Sequence, residues 1–406
     1  MNILRNQFLA HVGQTSPSPM LVEVESAEGI YLYALDGKRY IDLIAGVSVS
    51  NVGHGNVAVV EAVQRQAASY MHLMVYGELV ERPQVEYAAR IAELLPEGLA
   101  SCYFVNSGAE AVEGAMKLAK RYTERSEVIS MRRAYHGSTQ GAMALMGSPE
   151  GEEWKRAFRP LMPDCRAIEF NSFDDLALIT ERTACVVSEV VRGESGVELP
   201  TEGYLEALRE RCTAVGALLV FDEIQSGMGR TGEMFAAVKY GVTPDIMTLA
   251  KAFGGGMPLG AFVASGEVMQ SLTHDPVLGH ITTFGGHPVS CAAGLAALKY
   301  LVDNDLVSQV EAKGAAFEST LLRHDLVREI RRSGLLMAVE LGSSAMLYRL
   351  MEIFKEEGVM SDWFLFCDTA FRISPPLTIT LAEVAECCEV VGRSLDRLGE
   401  EFSNKC

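Results

Sequence analysis

The chain has 406 residues and a mass of 44.1 kDa, more than one ordinary hydrophobic core holds, so two domains are expected. Apolar residues make up 49%, as in a globular α/β enzyme, while a formal charge of −18 and a pI near 5.0 exclude nucleic acid or an anionic membrane surface as a partner. No apolar run reaches the roughly 18 residues of a membrane helix, the opening MNILRNQFLAHVGQ lacks a secretion signal's core and cleavage site, and nine cysteines without a C-x-x-C pair read as reduced thiols, so a cytoplasmic enzyme without a metal site is expected.

Residues 1 to 30 are mixed, with Ser16-Pro-Ser-Pro19 as an extended breaker, and read as an arm that wraps the surface or a partner. From Gly29 to Asn56, GIYLYALDGKRYIDLIAGVSVSNVGHGN alternates apolar and polar residues around Asp36-Gly37, which predicts a hairpin that seeds a small domain. Helical spacing follows from Val57 to Leu95, broken at Tyr76-Gly77 and Pro83. CYFVNSGAEAVEGAMKLAKR (Cys102 to Arg121) predicts a strand, a Ser-Gly turn and an amphipathic helix capped by Asn106 and Ser107. The first amides of such a helix form a phosphate cradle, although an ordinary capped helix reads the same way.

Glu127 to Met131 is a short strand leading to RRAYHGST, where Tyr135 stands at a strand end and His136 is a lone histidine of the kind that is usually structural. The apolar run Cys185 to Val190 carries Glu189 and Glu194 into a loop held by Gly193 and Gly196. LLVFDEIQSGMGRTG (Leu218 to Gly232) opens with a buried strand that delivers Asp222 to its carboxyl end. A second strand, Ile246 to Leu249, delivers Lys251 in the same way, ahead of Ala-Phe-Gly-Gly-Gly. Open α/β sheets bind ligands at such strand ends, and the glycines let a flat group approach the backbone. A salt bridge at the sheet rim is the plainer reading of this acid and amine.

Inside that stretch Gly227-Met-Gly229-Arg-Thr-Gly232 satisfies G-x-G-x-x-G, the dinucleotide fingerprint. Asp222-Glu-Ile-Gln-Ser separates it from the strand, and Arg230 and Thr231 read as a polar loop, so a dehydrogenase is the minor alternative. ITTFGGHPVSCAAGLAAL (Ile281 to Leu298) enters a long helix through a glycine-rich turn. Beyond about Leu301 helix and strand alternate: Val310 to Leu322, Leu335 to Leu341, Met346 to Glu357, a strand through Phe371 to Ser374 and a closing helix from Leu381. Two prolines after Arg372, in FRISPPL, hold that guanidinium on a rigid element, and its planar fork suits a carboxylate.

From about Gly29 to about Leu381 the chain resembles the class III pyridoxal-phosphate aminotransferases, most specifically in the Asp222 and Lys251 segments. The resemblance implies an α/β, fold-type I transferase. Its large domain, residues 56–300, would hold a mainly parallel, seven-stranded-type sheet covered by helices. A small α+β domain would combine residues 1–55 and 301–406. By the same resemblance Asp222 pairs with the pyridine nitrogen, Gln225 binds the ring hydroxyl, Tyr135 stacks on the ring, Lys251 binds the cofactor aldehyde, and Ser107, Gly108 and Ala109 hold the phosphate. Thr283 reaches the phosphate of the other subunit, which implies a homodimer with interfacial active sites. Glu194 corresponds to a glutamate paired with the substrate-binding arginine, here Arg372. Where the family has Glu-Pro and Gln-Gly this chain has Glu189-Val190 and Arg192-Gly193.

The implied reaction moves an amino group, the distal amine of N-acetylornithine or a similar amino acid, to 2-oxoglutarate. An aliphatic Val47, aligned with a tyrosine of ornithine enzymes, favours acetylornithine or 4-aminobutyrate as donor. Ornithine and lysine are the other donors in view. A same-fold aminomutase and a non-catalytic binding protein are the readings from other classes; FRISPPL argues against the first, and Lys251, Asp222 and Gln225 together against the second.

Overall fold

A computed structural model describes residues 3–403; Met1, Asn2 and Cys406, which the domain division and the cysteine count included, lie outside the described residues. Seven strands form the central sheet in the order Ser101–Val105, Gly260–Ala264, Ile246–Leu249, Leu218–Asp222, Thr183–Glu189, Glu127–Met131, Cys165–Ile168. All neighbours pair in parallel except Gly260–Ala264, which runs antiparallel to both flanking strands. The central strands are buried on both faces, which explains why they read as unbroken apolar runs. Register sets Glu189 opposite Asp222 and Asp222 opposite Thr248, so three polar groups lie level across adjacent strands near one edge.

Helix Gly108–Thr123 covers one face, burying Ala111, Val112, Ala115 and Leu118. Helices Tyr204–Val215 and Arg82–Ala92 contribute Leu205, Leu208, Tyr87 and Ile91 to the core on the other. The hairpin around Asp36-Gly37 forms as expected, Tyr31–Ala34 against Arg39–Asp42. Its second strand pairs in parallel with Val359–Met360, so both ends of the chain share one small sheet. A second small sheet is antiparallel, Glu329–Ser333, Leu336–Glu340, Cys367–Ile373 and Trp363–Phe364. Helix Leu381–Ser403 buries Val384, Cys387, Val391, Leu395 and Leu398 in the core beneath.

The presumed polar loop at Arg230 and Thr231 is instead buried. The Arg230 guanidinium donates to the carbonyls of Leu335, at 3.1 Å, and Pro375, at 2.6 Å, and to Asn51 Oδ1 at 2.5 Å. It therefore ties the large sheet's loop to both small-sheet regions. No helix follows Asp222 until Ala236–Lys239, which removes the dinucleotide-binding geometry.

Candidate active site

The carboxyl edge of the large sheet opens into a cavity of about 390 Å³ whose walls include Ser107, Gly108, Ala109, Tyr135, His136, Glu189, Asp222, Gln225 and Lys251. Residues separated by up to 144 positions thus converge because their strands are neighbours. Lys251 sits at the first residue past the Ile246–Leu249 strand's closing Ala250, with a left-handed backbone (φ 52). A lysine in that region is strained, a state that persists where packing imposes it. Burial pushes its ammonium pKa down, against the pull of Glu194, which raises the share of free amine.

Asp222 is buried and held at both oxygens. Oδ1 accepts the Ile224 amide at 3.0 Å, and Oδ2 meets His136 Nδ1 at 2.7 Å. Burial alone would lower the His136 pKa, but the hydrogen bond and charge of Asp222 raise it, so a charged imidazole is favoured beside the carboxylate. In the sequence His136 reads as a lone structural histidine; what marks it is the loop after strand Glu127–Met131, which carries it past the intervening strand Thr183–Glu189 to Asp222, a placement that only the strand order discloses. Burial, partly offset by His136, pushes the Glu189 carboxyl up to about 7.

Ser107 caps helix Gly108–Thr123, its Oγ accepting the Glu110 amide at 3.2 Å. Gly108 has a packing reason: a Cβ there would meet Ile224 Cδ1 at 2.9 Å. Gly193 has a sharper one, since a Cβ would overlap the Gln225 amide. Gln225 Nε2, His136 Nε2 and Glu189 Oε2 are buried without a hydrogen-bond partner among the described residues. Tyr135 is half-buried, its hydroxyl 3.0 Å from Ser138 Oγ.

Behind the cavity Glu194 Oε1 accepts Arg372 Nη2 at 2.9 Å, while Glu194 Oε2 accepts the Leu365 amide at 3.0 Å. Arg372 Nε donates to Asp362 Oδ1 at 2.9 Å, a partner that the sequence did not disclose. Arg192 is fully buried on Glu198, at 2.7 Å, with its guanidinium 5.0 Å from the Phe170 ring. It braces the loop and is no cavity cation. Val49 lines the cavity, and Val47 lies two residues before it, outside the lining. The backbone passes through left-handed conformations from Ala45 to Ser48, so the alternation of the hairpin does not carry into this turn. Thr283 is exposed outside the cavity, next to Thr282, which accepts from the cavity residue Asn106 at 3.0 Å.

The model of the family described as aminotransferase class-III matches residues 12–395. The chain belongs to the class III aminotransferases. It is 38% identical over 370 residues to the acetylornithine aminotransferase of Methanocaldococcus jannaschii, covering 88% of this chain and 89% of that one. The acetylornithine aminotransferase of Methanopyrus kandleri is 40% identical over 325 residues, 79% of this chain and 81% of its own. Among solved structures, a transaminase from the marine bacterium Virgibacillus superposes with a TM-score of 0.93 at 28% identity, covering 99% of this chain and 100% of that one.

This class III aminotransferase is therefore a pyridoxal-phosphate enzyme with the fold-type I architecture expected from its sequence. The cavity suits that cofactor on its own evidence: helix amides and a cleared glycine for a phosphate, an acid beside a histidine for a ring nitrogen, an unpartnered amide donor at Gln225 for a ring hydroxyl, and an amine at Lys251. Its substrates are small amino and keto compounds.

Proposed function

We propose that this aminotransferase moves the distal amine of N-acetylornithine to 2-oxoglutarate, with Lys251 and Asp222 as catalytic residues. The observation that carries the reading is their placement at the ends of adjacent parallel strands in one cavity, beside a capped helix N-terminus. The donor is suggested by the names of the two archaeal relatives. When bound, the cofactor supplies an aldehyde that takes up the amino group and an electron-withdrawing ring.

The chain's own groups do the rest. Lys251 Nζ, with its lowered pKa, is the base that moves the proton at the substrate carbon. Asp222, held by His136, would keep a proton on the ring nitrogen of the bound cofactor. Ser107, Gly108 and Ala109 would hold the phosphate with the helix amides, Gln225 would bind the ring hydroxyl, and Tyr135 would stack on the ring. Glu194 neutralises Arg372 while a distal amine reacts, and gives way when a dicarboxylate enters. In this reading residues 1–55 and 301–406 form the small domain and 56–300 the large one.

The active form is a homodimer in the cytoplasm. Support for the dimer is an exposed apolar surface around Met71, Leu79, Val80, Ile281 and Phe284, unusual for a surface facing water. The His72 and Phe284 rings lie 4.7 Å apart, so its two segments are contiguous and flank Thr283. Thr283 then serves the partner's phosphate. Among the described residues no helix is long and apolar enough to cross a membrane, and eight cysteines are unpaired.

The donor is tested by mixing the coloured holoenzyme, without keto acid, with N-acetylornithine, 4-aminobutyrate, ornithine or lysine. Fastest loss of the visible absorbance with N-acetylornithine is expected. Discharge by another amine while N-acetylornithine is inert overturns the donor and leaves the aminotransferase assignment.

A further inference from the structure

Arg372 is enclosed by one short segment as well as by Glu194. Its backbone amide donates to the Asp362 carbonyl at 2.9 Å, which sets the two residues across the hairpin of Trp363–Phe364 and Cys367–Ile373. Asp362 Oδ1 then takes Nε at 2.9 Å, the Trp363 carbonyl takes Nη2 at 3.3 Å, and the Phe364 ring lies 4.6 Å from the guanidinium carbon. Glu194 meets only Nη2, and Nη1 is buried without a partner among the described residues. The arginine is 2% exposed.

We propose that Asp362 is the positioning residue that fixes Arg372 through Nε while Glu194 and a substrate carboxylate exchange on the Nη edge. The proposal rests on the transaminase reading above. A guanidinium offers five donors in one plane. Two of its edges point different ways: Asp362 holds the Nε side, and the Nη1/Nη2 edge has one nitrogen unused. A carboxylate arriving there binds by two parallel bonds only if that plane stays still.

When Glu194 leaves, Asp362, the Trp363 carbonyl and the Phe364 face remain, all from the same segment as one another. Without Asp362 the long side chain would keep only a carbonyl and a ring, and would be free to follow Glu194. The charge balance supports the same division of labour. Arg372 with two carboxylates carries a net single negative charge, and replacing Glu194 by a substrate carboxylate leaves that charge unchanged. The exchange therefore swaps one anion for another at a fixed cation, and Asp362 is the constant partner.

The test uses the holoenzyme and its Asp362→Ala and Asp362→Asn variants. Glutarate, a dicarboxylate with no amine and no carbonyl, is titrated against the cofactor absorbance, and the half-reactions with glutamate and with N-acetylornithine are measured separately, together with the unfolding midpoint. Loss of a hydrogen bond to a charged group corresponds to about a tenfold or greater change. Asp362→Ala is expected to weaken glutarate binding and raise the glutamate concentration for half-saturation by that factor, with the N-acetylornithine half-reaction within about twofold of the parent. Asp362→Asn, which keeps an acceptor oxygen for Nε, restores the parent values. Equal glutarate affinity in all three proteins, parallel losses in both half-reactions, or an Asn variant no better than the Ala variant overturns the proposal. If no amine discharges the parent's absorbance while glutarate binding still depends on Asp362, the transaminase reading fails and the positioning role stands.

Discussion

Replacing His136 by phenylalanine removes the only side chain bonded to Asp222 among the described residues while keeping a ring of similar bulk in a fully buried position. Asp222 would retain the Ile224 amide on Oδ1 and lose its 2.7 Å partner on Oδ2. A hydrogen bond to a charged group contributes about 1.5–3 kcal/mol. At roughly 1.4 kcal/mol per factor of ten, the amine half-reaction should slow by about 10- to 150-fold if that stabilisation acts at the ring nitrogen. Stopped-flow loss of the cofactor absorbance, without keto acid, measures it.

The pH dependence has a definite sign. The folded-state pKa of His136 lies above its ordinary value, so the pair's stabilisation is complete below about 6.5 and fades as pH rises through the folded value. The stability difference between the parent and His136→Asn, by urea unfolding of cofactor-free protein, should thus be larger at pH 6 than at pH 9. A His136→Phe rate within twofold of the parent, or a pH-independent difference, refutes this role for the pair.

Arg230→Leu leaves two buried carbonyls and Asn51 without their donor and should destabilise the fold by about 3 kcal/mol or more, read as a lower urea midpoint. Gly193→Ala forces the Gln225 amide to move, and is expected to shift the absorbance maximum and weaken cofactor retention while the far-ultraviolet spectrum stays unchanged. Glu189→Gln tests the carboxyl pushed up to about 7. Because that folded value exceeds the unfolded one, the group's contribution is full below about 4.3 and lost as pH rises to about 7, so the variant's stability should decline less across that interval. Glu194→Ala removes the carboxylate from Nη2 of Arg372, leaving the Trp363 carbonyl there, and should shift the ratio of glutamate to N-acetylornithine half-reaction rates toward glutamate by about tenfold; an unchanged ratio refutes the exchange.

What the sequence disclosed and what it hid follow from the same physics. Strands buried on both faces appear as short apolar runs, and Asp222 and Lys251 stand out because the first ends one and the second follows another by two residues. Ser107 is legible because a cap is a local interaction. His136 was hidden because its partner is 86 residues away, and the strand order that brings them together is not local. Asp362 is hidden because it lies in irregular chain just before a two-residue strand, Trp363–Phe364, too short to show a period. Gly260–Ala264 was missed as a strand because the glycine-rich segment before it reads as turn, and its antiparallel direction depends on pairing with Ser101–Val105, far earlier in the chain.

The central claim is that Lys251 and Asp222 run a two-stage amino transfer, and a single-turnover reaction tests it most directly. The holoenzyme is mixed with excess N-acetylornithine in the absence of any keto acid, and the carbonyl product is counted against the loss of cofactor absorbance. The account predicts one equivalent of product per active site and then a stop, with 2-oxoglutarate restoring the absorbance and Lys251→Ala inert at this timescale. Continued product formation without a keto acid, or unchanged speed in Lys251→Ala, would contradict it.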